Sequence, residues 1–125
     1  MAVYIVVHSK DVETVRKLCN YLADKLDDLY TGKVYTFHRG TVLDVDNRIT
    51  IDFRCGTDID KFGGLTMDFY YTDADEHDDI FAMLEMGACK RNGKRLTNID
   101  QVIHIVEFYM NMFDEIDRYL EEKEK

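Results

Sequence analysis

Lys90, Arg91, Lys94 and Arg95 fall within six positions of the segment CKRNGKRLTN, residues 89–98. Ammonium and guanidinium groups at this density are the residue types that hold phosphate oxygens, arginine through a fork of N–H donors. The knot lies just before the last helical pattern. A helix start there offers unpaired backbone N–H groups and the positive end of the helix dipole, both of which favour an anion. Gly93 makes the turn pliable, and Asn92 carries the donors and acceptor to read a base edge or a ribose hydroxyl. The surrounding chain is acidic, with 25 Asp and Glu against 16 Lys and Arg and a net charge of −9. The same four cations also fit a solvated loop paired with acidic segments, so the pattern suggests an anion site without being diagnostic of one.

Aromatic rings are plentiful, with 8 Tyr and 7 Phe in 125 residues. Phe81 precedes the knot on a short helical pattern, and Tyr70 and Tyr71 end the strand before it. A purine stacked on one of these rings while the knot holds its phosphates is one use for them; core packing accounts for most. Arg54 and Asp52 on one strand and Asp68 on another read as a charged ladder or, more simply, as the solvent face of an antiparallel sheet. Arg39-Gly40 has the same ambiguity. Catalytic patterns are lacking: there is no Gly-x-Ser-x-Gly, Walker loop or GxGxxG, and no Ser or Cys is paired with a His. The four His show no metal-binding spacing, and DADEHDD (73–79) lacks the Gly and distal Glu of a calcium loop. The expectation is a binder without catalytic residues, metal or cofactor.

Elements that must position these residues follow from periodicity. Residues 3–8 are β-branched and aromatic and read as a central buried strand. Ser9 is expected to cap a helix whose apolar face is Val12, Val15, Leu18, Cys19, Leu22, Leu26 and Leu29, ended by Gly32. Residues 33–38, 41–45, 48–55 and 65–71 read as four further strands. Face matching around Asp46-Asn47 favours a three-residue loop, which pairs Val45 with Ile49, Leu43 with Ile51 and Thr41 with Phe53. GTDIDKFGG (56–64) is a connection, and a short helix is expected near 77–89. Thr97 or Asn98 then caps a helix running to about residue 121, with Asn98 and Gln101 at capping-box spacing. That helix carries two apolar seams. One is Ile99, Ile103, Val106, Met110, Phe113 and Leu120; the other is Val102, Ile105, Tyr109, Met112, Ile116 and Tyr119. A surface helix needs one stripe, so the second is expected to meet another copy of the chain.

Size and 46% hydrophobic content predict one domain over 1–125 with a real core. The N-terminal apolar run is too short for a membrane span and lacks a basic leader, and three widely spaced cysteines fit reduced thiols, so a cytoplasmic location without membrane association is expected. The acidic balance disfavours nucleic acid as a partner. The expected fold is α+β: a mainly antiparallel sheet of about five strands with one packed N-terminal helix, a short helix and a long C-terminal helix at an oligomer interface.

In length, in its strand-rich first two thirds, in the segment DDIFAMLEMGACKRNGKRLTNID (78–100) and in the apolar C-terminal helix, the chain resembles the phage anti-Thoeris proteins of the first type. These sequester the cyclic ADP-ribose signal of bacterial TIR enzymes. The resemblance implies a homo-oligomer with recessed pockets at subunit contacts that holds a phosphate-bearing cyclic nucleotide without cleaving it, in the bacterial cytoplasm during infection. Phe81 and Asn92 would be its ring and polar contacts. Charge and position assign Arg54, Arg91 and Arg95 to the pyrophosphate, and Tyr71 and Thr97 complete the expected set. The alternative is an acidic protein–protein inhibitor whose runs 73–79 and 114–124 mimic nucleic acid and block a host nuclease. A third class is a structural or enzymatic accessory protein with a small substrate.

Overall fold

The computed structural model describes residues 2–37 and 41–124. In chain order the elements are β1 (Val3–Ser9), α1 (Val12–Leu29), β2 (Val34–Phe37), β3 (Val42–Val45), β4 (Ile49–Cys55), a 3-10 turn (Ile59–Lys61), β5 (Phe69–Thr72), α2 (Asp79–Cys89), β6 (Lys94–Leu96) and α3 (Asp100–Glu124). The six strands form one sheet in the order β2-β3-β4-β1-β5-β6.

The α+β class, the N-terminal helix, the short helix and the long C-terminal helix are as the sequence predicts. The sheet is mixed, not mainly antiparallel, and has six strands, not five. β1 runs parallel to both β4 and β5, and β5 parallel to β6; the antiparallel pairs are β2–β3 and β3–β4. Helices cover both faces. Val3, Ile5 and Val7 of β1 pack with Val15, Cys19, Leu22 and Leu26 of α1 and with Val102, Val106, Met110 and Phe113 of α3. Val6 packs on the other face with Phe62, Met67, Tyr70 and the Ile80, Phe81, Leu84 and Ala88 side of α2. A strand covered on both faces explains why β1 reads as an unbroken apolar run.

The β3–β4 register is the three-residue one: Val45 lies opposite Ile49 and Leu43 opposite Ile51, and the Phe53 N–H donates to Thr41 O at 2.8 Å. Asp46 and Asn47 take the left-handed backbone the turn needs, with φ of 56° and 58°. Asn98 and Gln101 form the expected cap, the Gln101 Oε1 accepting from the Thr97 and Asn98 N–H groups at 2.7 and 3.0 Å. At α1 the cap is Asp11, which accepts from the Thr14 N–H; Ser9 is the last residue of β1, and its hydroxyl donates to Asp73 and accepts from the Asp11 N–H at 3.1 Å.

One strand expectation reaches beyond the described residues: His38, with Arg39 and Gly40, lies outside them. Another changes. The 65–71 strand begins only at Phe69, and Met67 is buried on the α2 side while Phe69 and Tyr71 face α1 and α3. The cause is close approach to α2: a Cβ on Gly87 would stand 2.3 Å from Leu65 O and 2.9 Å from the Met67 methyl. The segment 65–67 therefore runs against the bare backbone of α2 and cannot keep a strand's alternation. No helix among the described residues is long and apolar enough to cross a membrane.

Gly87→Ala separates local propensity from packing. Helix propensity alone favours Ala by roughly 1 kcal/mol. The obstacle is a backbone carbonyl that no side-chain rotation removes, so a net loss of about 1–3 kcal/mol is expected. Urea unfolding should show a lowered midpoint; a raised midpoint would mean that 65–67 yields freely.

Candidate functional site

Pairing of β6 with β5 divides the basic knot. Lys94 lies opposite Phe69, Arg95 opposite Tyr70 and Leu96 opposite Tyr71, and successive strand residues point to opposite faces. Arg95 therefore goes to the α2 side, its guanidinium 4.8 Å from the centre of the Phe81 ring and 2.9 Å from Glu76. Phe81 is buried and meets Tyr70 edge-on, so a base reaches that ring only if Arg95 leaves it. Arg91 pairs with Asp68 at 3.4 Å near the amino end of β5. Asn92 is exposed in the turn with φ of 55°, Thr97 is exposed just before α3, and Tyr71 is half-buried on the α3 side. Among the described residues Lys90 and Lys94 take part in no ion pair.

Arg54 is far from the knot in the sheet. It lies on β4, separated from β6 by β1 and β5. The charged ladder expected of Asp52, Arg54 and Asp68 exists in another form, because β1 stands between β4 and β5. Tyr4 of β1 bridges them: its hydroxyl donates to Asp52 and its backbone N–H to Asp68 at 2.8 Å. Arg54 Nε donates to Asp52 at 2.9 Å. Burial, then the Asp52 contact, pushes the Tyr4 hydroxyl up to about 12, so it stays a donor. Asp52 is buried while Tyr4, Arg54 and Asp68 are half-buried, so the ladder is a tied, partly covered network and not a freely solvated face. A cavity of about 370 Å³ adjoins it, lined by Tyr4, Thr50, Gly64, Leu65, Thr66 and Arg91.

The knot's other cation opens on a larger space. Between β6 and the first half of α3 runs a groove of about 410 Å³, lined by Phe69, Lys94, Arg95, Leu96, Gln101, His104, Ile105, Phe108 and Tyr109. Phe108 is 63% exposed and stands edge-on to Tyr109 at 5.2 Å, which in turn meets Phe69. One unpaired ammonium, an imidazole, a carboxamide and three rings surround a volume of small-ligand size. Lys94 was part of the basic pattern. Phe69, His104, Phe108 and Tyr109 were not legible as a group, since helical spacing places them together only once β6 is known to flank α3.

A second polar cluster lies at the carboxyl ends of β1 and β5, where the following helices leave on opposite faces. In open α/β sheets that is the usual ligand crevice. Here the chain fills it with its own contacts. Ser9 Oγ donates to Asp73 at 2.5 Å, the Lys10 N–H donates to the same carboxylate at 3.1 Å, and Lys10 Nζ lies 2.5 Å from Asp78. Fully buried His8 bonds Thr72 Oγ1 through Nδ1 at 2.7 Å and Gly56 O through Nε2 at 2.8 Å. Gly56 O can only accept, so Nε2 carries the proton and Nδ1 accepts from the Thr72 hydroxyl. The sequence signal was a polar His-Ser pair ending an apolar run. Among the described residues no group of three or more His, Cys, Asp or Glu is placed to hold a metal.

Burial lowers the His8 pKa, so the folded state holds it neutral. Above the ordinary value of about 6.5 both states are neutral; as pH falls, the unfolded chain protonates first and stability is lost through the folded pKa. The stability advantage of the wild type over His8→Gln should therefore shrink as pH falls from about 7 to about 5, by at most ~1.4 kcal/mol per pH unit. Urea titrations at each pH measure it, and a pH-independent difference would exclude a neutral buried imidazole.

Comparison with protein-family models, with curated proteins and with solved structures finds no match to this chain.

Proposed function

We propose that this chain binds and sequesters a phosphate-bearing aromatic nucleotide in the groove between β6 and α3. The observation that carries the reading is the lining of that groove: unpaired Lys94 beside the rings of Phe69, Phe108 and Tyr109, in about 410 Å³. A nucleotide needs a ring to stack on, donors for phosphate and hydrogen-bonding groups for sugar or base. Lys94 supplies charge, Phe108 an open ring face, and Gln101 and His104 polar contacts. Arg95, at the same strand edge, adds a second cation if it leaves Glu76, an exposed pair that costs little to break.

The resemblance to the anti-Thoeris sponges narrows the ligand to a cyclic ADP-ribose-type signal. On that reading the chain acts in the bacterial cytoplasm during infection and removes a TIR-derived messenger from solution. Sequestration asks for affinity without reaction.

Calorimetric titration with AMP, ADP-ribose and cyclic ADP-ribose tests the proposal. Lys94→Ala should weaken binding roughly tenfold to a hundredfold, the worth of one charge-assisted hydrogen bond of about 1.5–3 kcal/mol. Phe108→Ala should cost about 1–3 kcal/mol if a base stacks there. Both side chains are exposed, so thermal melts should barely move. Nucleotide released on unfolding should be intact by chromatography. Unchanged affinity in both variants, or no binding of any of the three nucleotides, would remove the groove as the site.

A further inference from the structure

The two edges of the sheet are unlike. β6 ends it with Lys94 and Arg95, charges of the kind that keep other strands from pairing with an edge. β2 ends it on the other side with Val34, Tyr35, Thr36 and Phe37, which hold no charge and no proline. Such a strand invites pairing.

The direction of its free groups follows from the ladder. The Asp46 N–H donates to Lys33 O at 2.7 Å, one step beyond the Val34–Val45 pair. In an antiparallel pair the hydrogen-bonded positions recur every second residue. Tyr35–Asp44 and Phe37–Val42 are therefore the bonded pairs. The N–H and C=O groups of Val34 and Thr36 point off the sheet, and among the described residues no strand lies beyond them.

Both faces of β2 are open as well. Tyr35 and Phe37 are each 44% exposed. They share the face that α2 covers elsewhere, but the apolar cluster beneath α2 takes in no residue of β2, β3 or β4. On the α1 side Thr36 is exposed, and Val34 alone packs against the core, near Tyr30. A strand held by one neighbour, with rings in solvent, has the form of an edge that another strand completes.

Local charge specifies which strand. The Lys33 N–H donates to Tyr30 O at 2.9 Å, so a tight turn sets the end of α1 beside the start of β2. That end carries Asp27 and Asp28, both exposed, and its last turn has no basic residue. The carboxylates therefore add to the negative end of the helix dipole where a cation would be favoured. Neither enters an ion pair among the described residues. From 24 to 46 the sequence holds Asp24, Asp27, Asp28, Asp44 and Asp46 against Lys25, Lys33 and Arg39. A second copy is disfavoured as the occupant, since it would bring a net charge of −9 and the same carboxylates to the same edge.

We propose that the free edge of β2 is a docking site for a basic, extended segment of another protein, which joins the sheet as a seventh strand. Main-chain bonds to Val34 and Thr36 hold it. Its side chains alternate in direction. Cationic ones fall on the α1 side, toward Asp27 and Asp28; apolar ones fall beside Tyr35 and Phe37. Five strands separate this edge from β6, so the site is independent of the nucleotide groove.

The probe is a capped octapeptide alternating Arg and Val, with an alternating Glu and Val peptide as control. On the full chain, amide exchange at Val34 and Thr36 should slow roughly tenfold or more with the basic peptide, while Tyr35 and Phe37, already in the ladder, change little. Affinity should fall as salt rises, and Asp27→Asn with Asp28→Asn should flatten that dependence. Thr36→Pro removes an outward N–H and no ladder bond, so it should keep the circular dichroism of the fold and weaken the basic peptide roughly tenfold. The amide measurement on the wild type needs no variant to fold. A peptide held only by general attraction to an acidic protein would leave both amides unprotected and ignore Thr36→Pro, and that result overturns the proposal. So would no binding at millimolar peptide, equal binding of the Glu peptide, or protection of Val34 and Thr36 in the chain alone, which would mean that a second copy already covers the edge.

Discussion

Burial of β1 on both edges and both faces is the constraint on which the rest of the structure depends. A strand so placed has no solvent to satisfy its polar groups, and each one left unpaired costs about 1–3 kcal/mol. β1 nevertheless carries Tyr4, His8 and Ser9 among its apolar residues. Each is satisfied by a neighbouring segment: Tyr4 by Asp52 of β4 and by Asp68 ahead of β5, His8 by Thr72 of β5 and Gly56 beyond β4, and Ser9 by Asp73 beyond β5. The contacts that solvate β1 therefore also fix β4 and β5 against it. A one-residue slip would turn Tyr4 and His8 toward α1 and α3, where the packing partners are apolar.

That internal network settles where charge is free. Asp52 and Asp68 are fixed by Tyr4, and they in turn draw in Arg54 and Arg91. Arg95 is turned to Phe81 and Glu76 by the alternation of β6. Of the cations the sequence groups together or adds to the anion site, the arginines are thus held by carboxylates of the same chain, as in the simpler reading of the knot. Two lysines are left: Lys90, exposed just after α2, and Lys94, one residue from Arg95 but on the opposite face. A dense run of positive charge in sequence is a point cluster only in a loop; once two of its residues join a strand, period-two geometry spreads it over two surfaces.

Local patterns were the legible part of the fold. The β3–β4 register followed from face matching, α1 from its three-and-four spacing, and the start of α3 from Asn98 and Gln101. Strand direction was not legible, for a specific reason. Thr50, Asp52 and Arg54 alternate with Ile49, Ile51 and Phe53, and a polar face in a strand normally signals solvent and hence an antiparallel sheet. Here Asp52 is buried and Arg54 half-buried, and the polar groups of that face are tied to Tyr4 and, in the 56–64 connection, to Lys61 O. Hydropathy cannot distinguish a solvated carboxylate from one paired indoors. β6 was missed because three residues, two of them charged, carry too little signal. The groove was missed with it, since the groove exists only between β6 and α3.

The same reasoning explains why an anion-binding function, on the proposed reading, belongs beside α3 and not at the carboxyl ends of the parallel strands. The crevice there is generic to the architecture, but in this chain Asp73, Asp75, Glu76, Asp78 and Asp79 follow β5. Lys10, the cation at that edge, is committed to Asp78, and its contact pulls that carboxyl below its usual range. A phosphate arriving at this edge meets like charge on several sides and gains no free donor of full charge. At the opposite end of β6 the balance reverses: Lys94 has no carboxylate partner among the described residues, and the wall beside it is aromatic. A phosphate-bearing ligand with a flat ring gains both contacts there without first breaking a buried bond. The acidic segment that closes one crevice thereby leaves the edge of β6 as the favoured approach for an anion.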